Sequence, residues 1–207
     1  GHLVAIVAER RKAPKDDLVS KLLNAEVDGR PLTYEELMSI CFNMFVGGLD
    51  TVVNAMSFGM RHLANDEPLR QRIIDDPGCI NNIVEELLRL YSFVNTRRYV
   101  TQDTEVDGVR MKKGDPILVP LMMVGWDEQM NQCPHQASVD RGVYRHGAFG
   151  TGIHTCLGIH LARLELRIMY QVWFKRIGHF RLADPDAQLD MRAGMVMAIR
   201  KLNLAWD

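Results

Sequence analysis

The sequence predicts a mainly α protein with a minor antiparallel β part. In two long stretches, 33–64 and 156–177, apolar residues recur at helical spacing. The segment 97–120 instead alternates short β-rich runs with Asp-Gly and Lys-Gly turns. With 207 residues, 47% of them hydrophobic and 25% charged, we expect a single domain over 1–207.

The first 32 residues predict two short helices and a turn. Apolar residues between 3 and 7 indicate a helix that ends at "RKAPKDD", and a second helical piece reaches Leu23. The sequence "EVDGRP" then predicts a turn or a small hairpin.

The longest predicted helix begins with a capping box formed by Thr33 and Glu36. No proline follows until after Ala64, so the helix would be about 45 Å long. We expect a helix of this length and apolar character to be central.

The remaining elements are shorter. Helices are predicted at 66–75 and 79–91, followed by the antiparallel hairpin and a loop region at about 128–155. A second strong helix is predicted from Cys156 to about Ile177, and the tail predicts short strands.

Composition and charge exclude several classes of protein. A net charge of −1 gives no basic surface for nucleic acid. The longest apolar run, Pro116–Trp126, is too short for a bilayer, and no signal peptide is visible, so we expect a cytoplasmic protein without a membrane segment. The cysteines have no Cys-x-x-Cys spacing, which favours free thiols in a reducing compartment: Cys41, Cys79, Cys133 and Cys156.

Three glycines surround one cysteine in "FGTGIHTCLGIHLAR". Gly150, Gly152 and Gly158 permit a tight turn with N–H groups aimed at one point. Cys156 is predicted to open a helix, whose dipole would favour a thiolate, and a thiolate is a good ligand for iron. A buried cysteine that only fills space and a cysteine nucleophile paired with His154 are the alternatives.

The loop resembles the haem-binding signature of the cytochrome P450 superfamily, the haem-thiolate monooxygenases. Six positions match F-G-x-G-x-H-x-C-x-G: Phe149, Gly150, Gly152, His154, Cys156 and Gly158. The resemblance implies the C-terminal half of the cytochrome P450 fold and haem b, iron protoporphyrin IX, as cofactor. It makes Cys156 the iron ligand, with Phe149, Gly150 and Gly158 beside the haem.

A second family landmark is Glu-x-x-Arg in "EELLR". Glu86 and Arg89 are neighbours on one helix face, and Arg141 lies where the family places a third partner. The resemblance implies a structural triad beneath the haem, whereas an isolated Glu-x-x-Arg is usually a solvated surface pair.

The long helix contains "VGGLDTVV", which resembles the oxygen-binding groove of the family. Gly47 and Gly48 are poor helix residues, and Asp50 and Thr51 follow them. By resemblance, Asp50 and Thr51 are catalytic and deliver protons during dioxygen activation. Close helix packing at the glycines and an ordinary polar face at Asp50 and Thr51 are the alternatives.

An arginine and a histidine match family residues that bind the haem propionates. Arg98 lies in "VNTRRYV" and His154 lies in the cysteine loop. Arg97 takes the role if the register shifts by one, and both residues have surface alternatives.

The stretches "VGGLDTVVNAMSFGM" and "CLGIHLARLE" resemble the bacterial camphor-hydroxylase group, which takes electrons from a small ferredoxin. Arg163 matches an arginine that faces the ferredoxin, or is an ordinary surface residue. Asn43 departs from that group, where the position is apolar, and this favours an oxygenated, terpenoid-like substrate. The matching substrate positions are Asn43, Val46, Gly47, Val94, Met195 and Val196.

The leading functional hypothesis is therefore a monooxygenase that inserts one atom of O2 into a C–H bond of a small apolar molecule. The family's N-terminal half is not present in these 207 residues. A truncated, non-catalytic haem-binding fragment is thus the second hypothesis. A cysteine-nucleophile hydrolase using His154 or His160 is the third.

Overall fold

The first fifty residues form a compact unit around a small apolar core. The computed structural model describes residues 1–206 and divides at Thr51 into two compact units. The first contains α1 (His2–Lys12), α2 (Leu18–Leu23) and a hairpin of β1 (Glu26–Val27) and β2 (Arg30–Pro31). Its core consists of Val7, Leu37 and Cys41, with partly buried leucines around them.

Helix α3 (Tyr34–Asn65) runs from the first unit into the second and begins at the predicted capping box. The Thr33 N–H donates to Glu36 Oε2 at 2.8 Å, and the Glu36 N–H donates to Thr33 Oγ1 at 3.2 Å. Arg30 adds two bonds to the same carboxylate, at 2.8 and 2.7 Å. By length and composition alone α3 could cross a membrane, and 11% of its most apolar 18-residue window is buried.

The second unit is built on four further helices: α4 (Glu67–Asp75), α5 (Ile80–Leu90), α6 (Met122–Trp126) and α7 (Ile159–Arg176). Helix α5 packs against both α6 and α7. The core between them includes Ile83, Leu166 and Tyr170, each almost completely buried. Eight of the eleven residues of α5 are buried, so this helix holds the unit together.

The β part consists of antiparallel pairs. Strand β3 (Asn95–Tyr99) pairs with β6 (Pro116–Pro120), and β4 (Thr104–Val106) pairs with β5 (Val109–Met111) between them. Asp107 and Gly108 join β4 to β5 with positive φ, which is the Asp-Gly turn that fits strand twist. In the tail, β7 (Arg181–Leu182) pairs with β10 (Leu204–Ala205), and β8 (Met191–Arg192) pairs with β9 (Ala198–Ile199).

The predicted fold class, mainly α with a minor antiparallel β part, is confirmed. Two details differ. The segment 97–120 forms two nested strand pairs rather than one hairpin, because the Val106–Val109 turn closes inside the longer β3–β6 pair. Helix α6 was not predicted, since the apolar run Pro116–Trp126 has no periodicity that separates its strand from its helix.

Candidate haem-thiolate site

The cysteine loop forms a tight turn that presents Cys156 at the surface. The Cys156 N–H donates to the Phe149 carbonyl at 2.8 Å, which closes the loop on itself. Gly150 and Gly152 lie at φ +66° and +64°, a region that favours glycine, and a Cβ on Gly150 would lie 3.1 Å from the His154 carbonyl oxygen. The Cys156 thiol is free and its residue is exposed.

Helix α7 begins at Ile159, three residues later than predicted, and Gly158 is its N-cap residue. The reason is that the Cys156 N–H is bonded back to Phe149, while the first α-helical bond runs from Ala162 N–H to Gly158 O at 2.9 Å. Cys156 therefore lies in the turn before the helix. Gly158 has a negative φ of −85°, and a Cβ there would lie 3.9 Å from the Cys156 sulfur.

Exposed apolar residues precede and follow Cys156 in the sequence. Ile153 is 97% exposed and Leu157 is 78% exposed, which is unusual for large apolar residues that flank a free cysteine. A flat, largely apolar group that binds sulfur through a metal would offer exposed apolar side chains near the cysteine a surface to pack against. Haem has these properties, so the residues present fit it.

The ligand set also fits one axial thiolate. Within residues 1–206, no three His, Cys, Asp or Glu side chains come together as a metal site. Haem is held by few protein ligands, and Cys156 would supply the thiolate that holds it here.

Arg98 and His154 are both exposed. Arg98 lies in β3 opposite Ile117, and its Nη1 donates to the Arg97 carbonyl at 2.9 Å. Because successive residues of a strand point to opposite faces, Arg97 and Arg98 cannot serve the same site. His154 ends a short 3-10 helix, Gly152–His154, just before Cys156.

The structure brings Glu86, Arg89 and Arg141 together. Arg89 donates to both Glu86 oxygens, at 2.7 and 2.9 Å, and these two side chains are 0% exposed. Arg141 adds bonds of 3.1 to 3.2 Å from a side chain that is 9% exposed. The Ser138 N–H donates to Glu86 Oε1 at 2.9 Å.

The protonation state of Glu86 follows from these bonds. Burial raises its pKa, but the bonds from Arg89, Arg141 and Ser138 outweigh burial and leave the pKa below its ordinary value. Both arginines also donate to loop carbonyls: Arg89 to Gly125, Pro134 and Gln136, and Arg141 to Gln132, Cys133 and Gln136. The carboxylate therefore anchors two cations that hold the 125–136 segment.

Glu85, the neighbour of Glu86, was not predicted as a site residue. Arg163 donates to it twice, with Nε to Oε1 at 2.6 Å and Nη2 to Oε2 at 2.8 Å. The guanidinium of Arg163 also lies 4.9 Å from the centre of the Phe149 ring. The signal was present as the first glutamate of "EELLR", but it gave no indication which residue 78 positions later would meet it.

The predicted substrate residues fall into two groups, one in each unit. Val94 forms an antiparallel bridge with Val196, and the Asn95 N–H donates to the Met195 carbonyl at 2.8 Å, so Val94, Met195 and Val196 are adjacent. In the first unit, Asn43, Val46 and Gly47 are all exposed. Their spacing places these three on one face of α3.

The oxygen-groove residues lie in an unbroken part of α3. Helical structure continues through Gly47, Gly48, Asp50 and Thr51. Within the described residues, and apart from the adjoining backbone of α3 itself, no atom lies within 4 Å of a Cβ built on Gly47 or Gly48. Close packing inside this chain therefore does not account for the two glycines.

Comparison with known proteins identifies the class. The family profile described as Cytochrome P450 matches residues 3–76 and 79–201. The chain belongs to the cytochrome P450 family, whose members bind haem b and act as monooxygenases. This membership favours an iron ligand over a cysteine nucleophile at Cys156.

Particular relatives are bacterial. The chain is 36% identical over 97% of its length to "Probable cytochrome P450 127A1" of Sinorhizobium fredii, and 40% identical over 95% to "Cytochrome P450 109" of Bacillus spizizenii. These matches cover 48% and 49% of the two relatives. The chain thus spans about half the length of the curated relatives it matches.

Solved structures agree with the fold. The crystal structure of CYP101J2 matches all of this chain and 52% of its own, at 40% identity and a TM-score of 0.92. Cytochrome P450 PksS of Bacillus subtilis matches 99% of this chain and 54% of its own, at 33% identity and a TM-score of 0.93. CYP109E1 of Bacillus megaterium, solved in complex with testosterone, matches 98% of this chain and 56% of its own, at 29% identity and a TM-score of 0.89.

Proposed function

We propose that this chain is the haem-bearing C-terminal half of a monooxygenase that inserts one oxygen atom of O2 into a C–H bond of a small apolar substrate. The observation that carries the proposal is the exposed Cys156 thiol, which lies in a tight hydrogen-bonded turn and is flanked in the sequence by the exposed apolar residues Ile153 and Leu157. Bound haem supplies the iron chemistry that activates dioxygen.

The residues of the cysteine loop and β3 are proposed to hold the haem. Cys156 ligates the iron, while Phe149, Gly150 and Gly158 line the loop beside it. Arg98 and His154 bind the propionates as hydrogen-bond donors, a role supported by their exposure and, for Arg98, by its permanent charge. Glu86, Arg89 and Arg141 hold the 125–136 segment, which precedes the cysteine loop, from within the protein core.

Asp50 and Thr51 are the proposed proton-delivery residues. A carboxylate and a hydroxyl next to one another in α3 can accept and pass on protons from solvent. Support comes from Gly47 and Gly48, one turn earlier: apart from the adjoining helix backbone, nothing lies within 4 Å of a Cβ built on either residue, so there is open space beside them.

The proposed substrate is an oxygenated, terpenoid-like molecule. Val94, Met195 and Val196 offer an apolar wall of adjacent residues. Val46 and Gly47, in the other unit, are proposed from the family resemblance alone. The Asn43 amide would bind a substrate oxygen. CYP109E1, a relative, was solved in complex with testosterone, an apolar molecule that carries oxygen atoms.

Replacing Asn43 by leucine tests this preference. The variant should bind an oxygenated terpenoid more weakly and its unoxygenated parent unchanged, as measured by the substrate-induced change in the haem spectrum. An unchanged ratio of the two dissociation constants would remove the basis for the oxygenated substrate.

The proposed electron donor is a small acidic ferredoxin that docks near Arg163. Arg163, Arg167 and His160 line one surface groove together with Glu85, which pairs with Arg163, so Arg167 is the cation whose attraction for an acidic partner supports the proposal. Replacing Arg167 by glutamine should raise the ferredoxin dissociation constant several-fold. If the parent chain and the Arg167→Gln variant bind ferredoxin with equal affinity at low salt, the docking site lies elsewhere.

We also propose a cytoplasmic location. The support is that all four cysteines are free thiols, two of them exposed, which suits a reducing compartment.

Haem titration tests the proposed site. The chain should bind haem with one site, and Cys156→Ser should weaken binding at least tenfold, because a hydroxyl is a poor iron ligand. Cys133→Ser is the matched control, since Cys133 is also an exposed free cysteine. Equal loss in both variants, or no loss in either, would contradict the assignment of Cys156.

A truncated, non-catalytic haem-binding fragment is the alternative function. The observation in its favour is that the chain spans about half the length of its relatives. A chain that binds haem through Cys156 but forms no product with ferredoxin, reductase and substrate would support this alternative. Product formation would exclude it.

A further inference from the structure

The Glu85 carboxylate joins two elements that approach the cysteine loop from different sides. Glu85 lies in α5, and Arg163 of α7 contacts both of its oxygens at 2.6 and 2.8 Å. Their side chains are 25% and 35% exposed, so the pair is partly shielded from water. A bidentate arginine–carboxylate pair fixes the relative orientation of the two side chains as well as their distance.

His146 contacts the same carboxylate from the loop. Its Nε2 lies 3.2 Å from Glu85 Oε2, and the Ala148 N–H donates to its Nδ1 at 3.3 Å. Because Nδ1 accepts a hydrogen bond, the ring proton is assigned to Nε2, which donates to Glu85. Through His146, Glu85 therefore restrains the backbone one residue before Phe149.

Phe149 lies between the two partners of Glu85. The Arg163 guanidinium is 4.9 Å from the centre of its ring, and the His146 ring is 6.1 Å away at a tilt of 59°. The carbonyl of Phe149 accepts the Cys156 N–H at 2.8 Å. A residue that fixes Phe149 thus fixes the hydrogen bond that orients the cysteine.

We propose that Glu85 is a positioning residue for the thiolate loop: by holding Arg163 and His146 against Phe149, it fixes the Phe149 carbonyl that receives the Cys156 N–H. Glu85 and Glu86 are about 100° apart around α5, so their carboxylates serve separate networks. Glu86 holds the 125–136 segment, and Glu85 holds the loop of Cys156. The significance for the iron rests on the proposed function, but the network itself does not.

Glu85→Gln is the direct test. Both Glu85 oxygens accept hydrogen bonds from cationic or N–H donors, so either orientation of the amide sets one NH2 group against a donor. Hydrogen exchange at the Cys156 amide, measured with and without haem, should accelerate on the order of tenfold in the variant. Exchange at the Leu87 amide in the core of α5 should stay the same.

Two further variants complete the design. Glu105→Gln is the matched control, because it breaks an exposed pair with Arg110 far along the chain, and it should leave Cys156 exchange unchanged. Arg163→Lys keeps the positive charge but loses the two-bond pairing with Glu85 and the stacking of the planar guanidinium on the Phe149 ring. It should therefore accelerate exchange at the Cys156 amide, as Glu85→Gln does. It also decides the question if Glu85→Gln does not fold.

Unchanged exchange at Cys156 in Glu85→Gln or in a folded Arg163→Lys would overturn the proposal, as would equal acceleration at Leu87. A spectroscopic readout separates this outcome from failure of the proposed function. The haem-loaded, reduced and CO-treated protein should show a red-shifted Soret band from thiolate-ligated iron. Glu85→Gln should shift part of this absorption to a Soret band at shorter wavelength, which marks iron that has lost the thiolate. If Cys156→Ser leaves that spectrum unchanged, the iron ligand is wrong, whatever the exchange at Cys156 shows.

Discussion

The Arg89 Nε donates to Glu86 Oε2 at 2.7 Å, and neither side chain exposes any surface to solvent. A charge pair this deeply buried is maintained only because every polar atom has a partner. Here those partners are Arg141, the Ser138 N–H and the carbonyls of the 125–136 segment. The pair therefore connects α5 to the segment that leads into the cysteine loop.

Replacing Glu86 by glutamine should lower the free energy of unfolding by about 3–5 kcal/mol, because two arginines then lose their common carboxylate inside the protein. Urea unfolding followed by circular dichroism measures the change. Glu105→Gln, which breaks an exposed pair, should cost less than about 1 kcal/mol. Similar small losses in both variants would contradict the structural role of Glu86.

Gly59 allows α3 to approach Tyr170. A Cβ on Gly59 would lie 1.9 Å from the Tyr170 hydroxyl oxygen and 3.1 Å from a Leu87 methyl group. Gly59→Ala should therefore cost about 1–3 kcal/mol through overpacking. Removing the hydroxyl with Tyr170→Phe should recover part of this loss, so a double-mutant cycle should give a non-zero coupling energy. Strictly additive effects would show that the two residues do not meet.

The two glycines on either side of Cys156 should behave differently. Gly150→Ala places a side chain at φ +66° and 3.1 Å from the His154 carbonyl, and should cost about 1–2 kcal/mol. Gly158→Ala has a favourable φ of −85° and should leave stability nearly unchanged. Its new methyl group, near the sulfur, should instead weaken haem binding. The reverse ranking in unfolding and haem titrations would contradict this description of the loop.

Acid should weaken the Glu85 network. Burial raises the pKa of Glu85, but bonds from His146 and Arg163 outweigh burial and lower it to about 2, below its ordinary value of 4.5. A lowered pKa stabilises the fold above pH 4.5, and the contribution is lost as the pH falls from 4.5 toward 2. The difference in urea midpoint between the parent chain and Glu85→Gln should shrink over that range. A difference that is constant with pH would be evidence against an ionised Glu85.

Local signals in the sequence predicted much of the fold. The Thr33–Glu36 capping box and the Asp-Gly turns each depend on residues a few positions apart, and the structure confirms both. The start of α7 was missed because it depends on the backward bond from Cys156 to Phe149, which no helix signal contains. Local pattern gave no basis for preferring a turn at Cys156 over a helix.

The sequence singled out candidate site residues where a family motif names them, as for Cys156 and Glu86. Glu85 has no such motif. Its importance depends on Arg163, 78 residues later, and on His146, 61 residues later. Pairings over that distance are set by how α5 and α7 pack, and the order of residues alone does not specify them.

The most direct test of the central claim is the absorption spectrum of the haem-loaded chain after reduction and exposure to carbon monoxide. A Cys156 thiolate on the iron predicts a strongly red-shifted Soret band that is lost in Cys156→Ser and retained in Cys133→Ser. The same spectrum in all three proteins, or a band typical of histidine-ligated or free haem in the parent chain, would contradict ligation by Cys156.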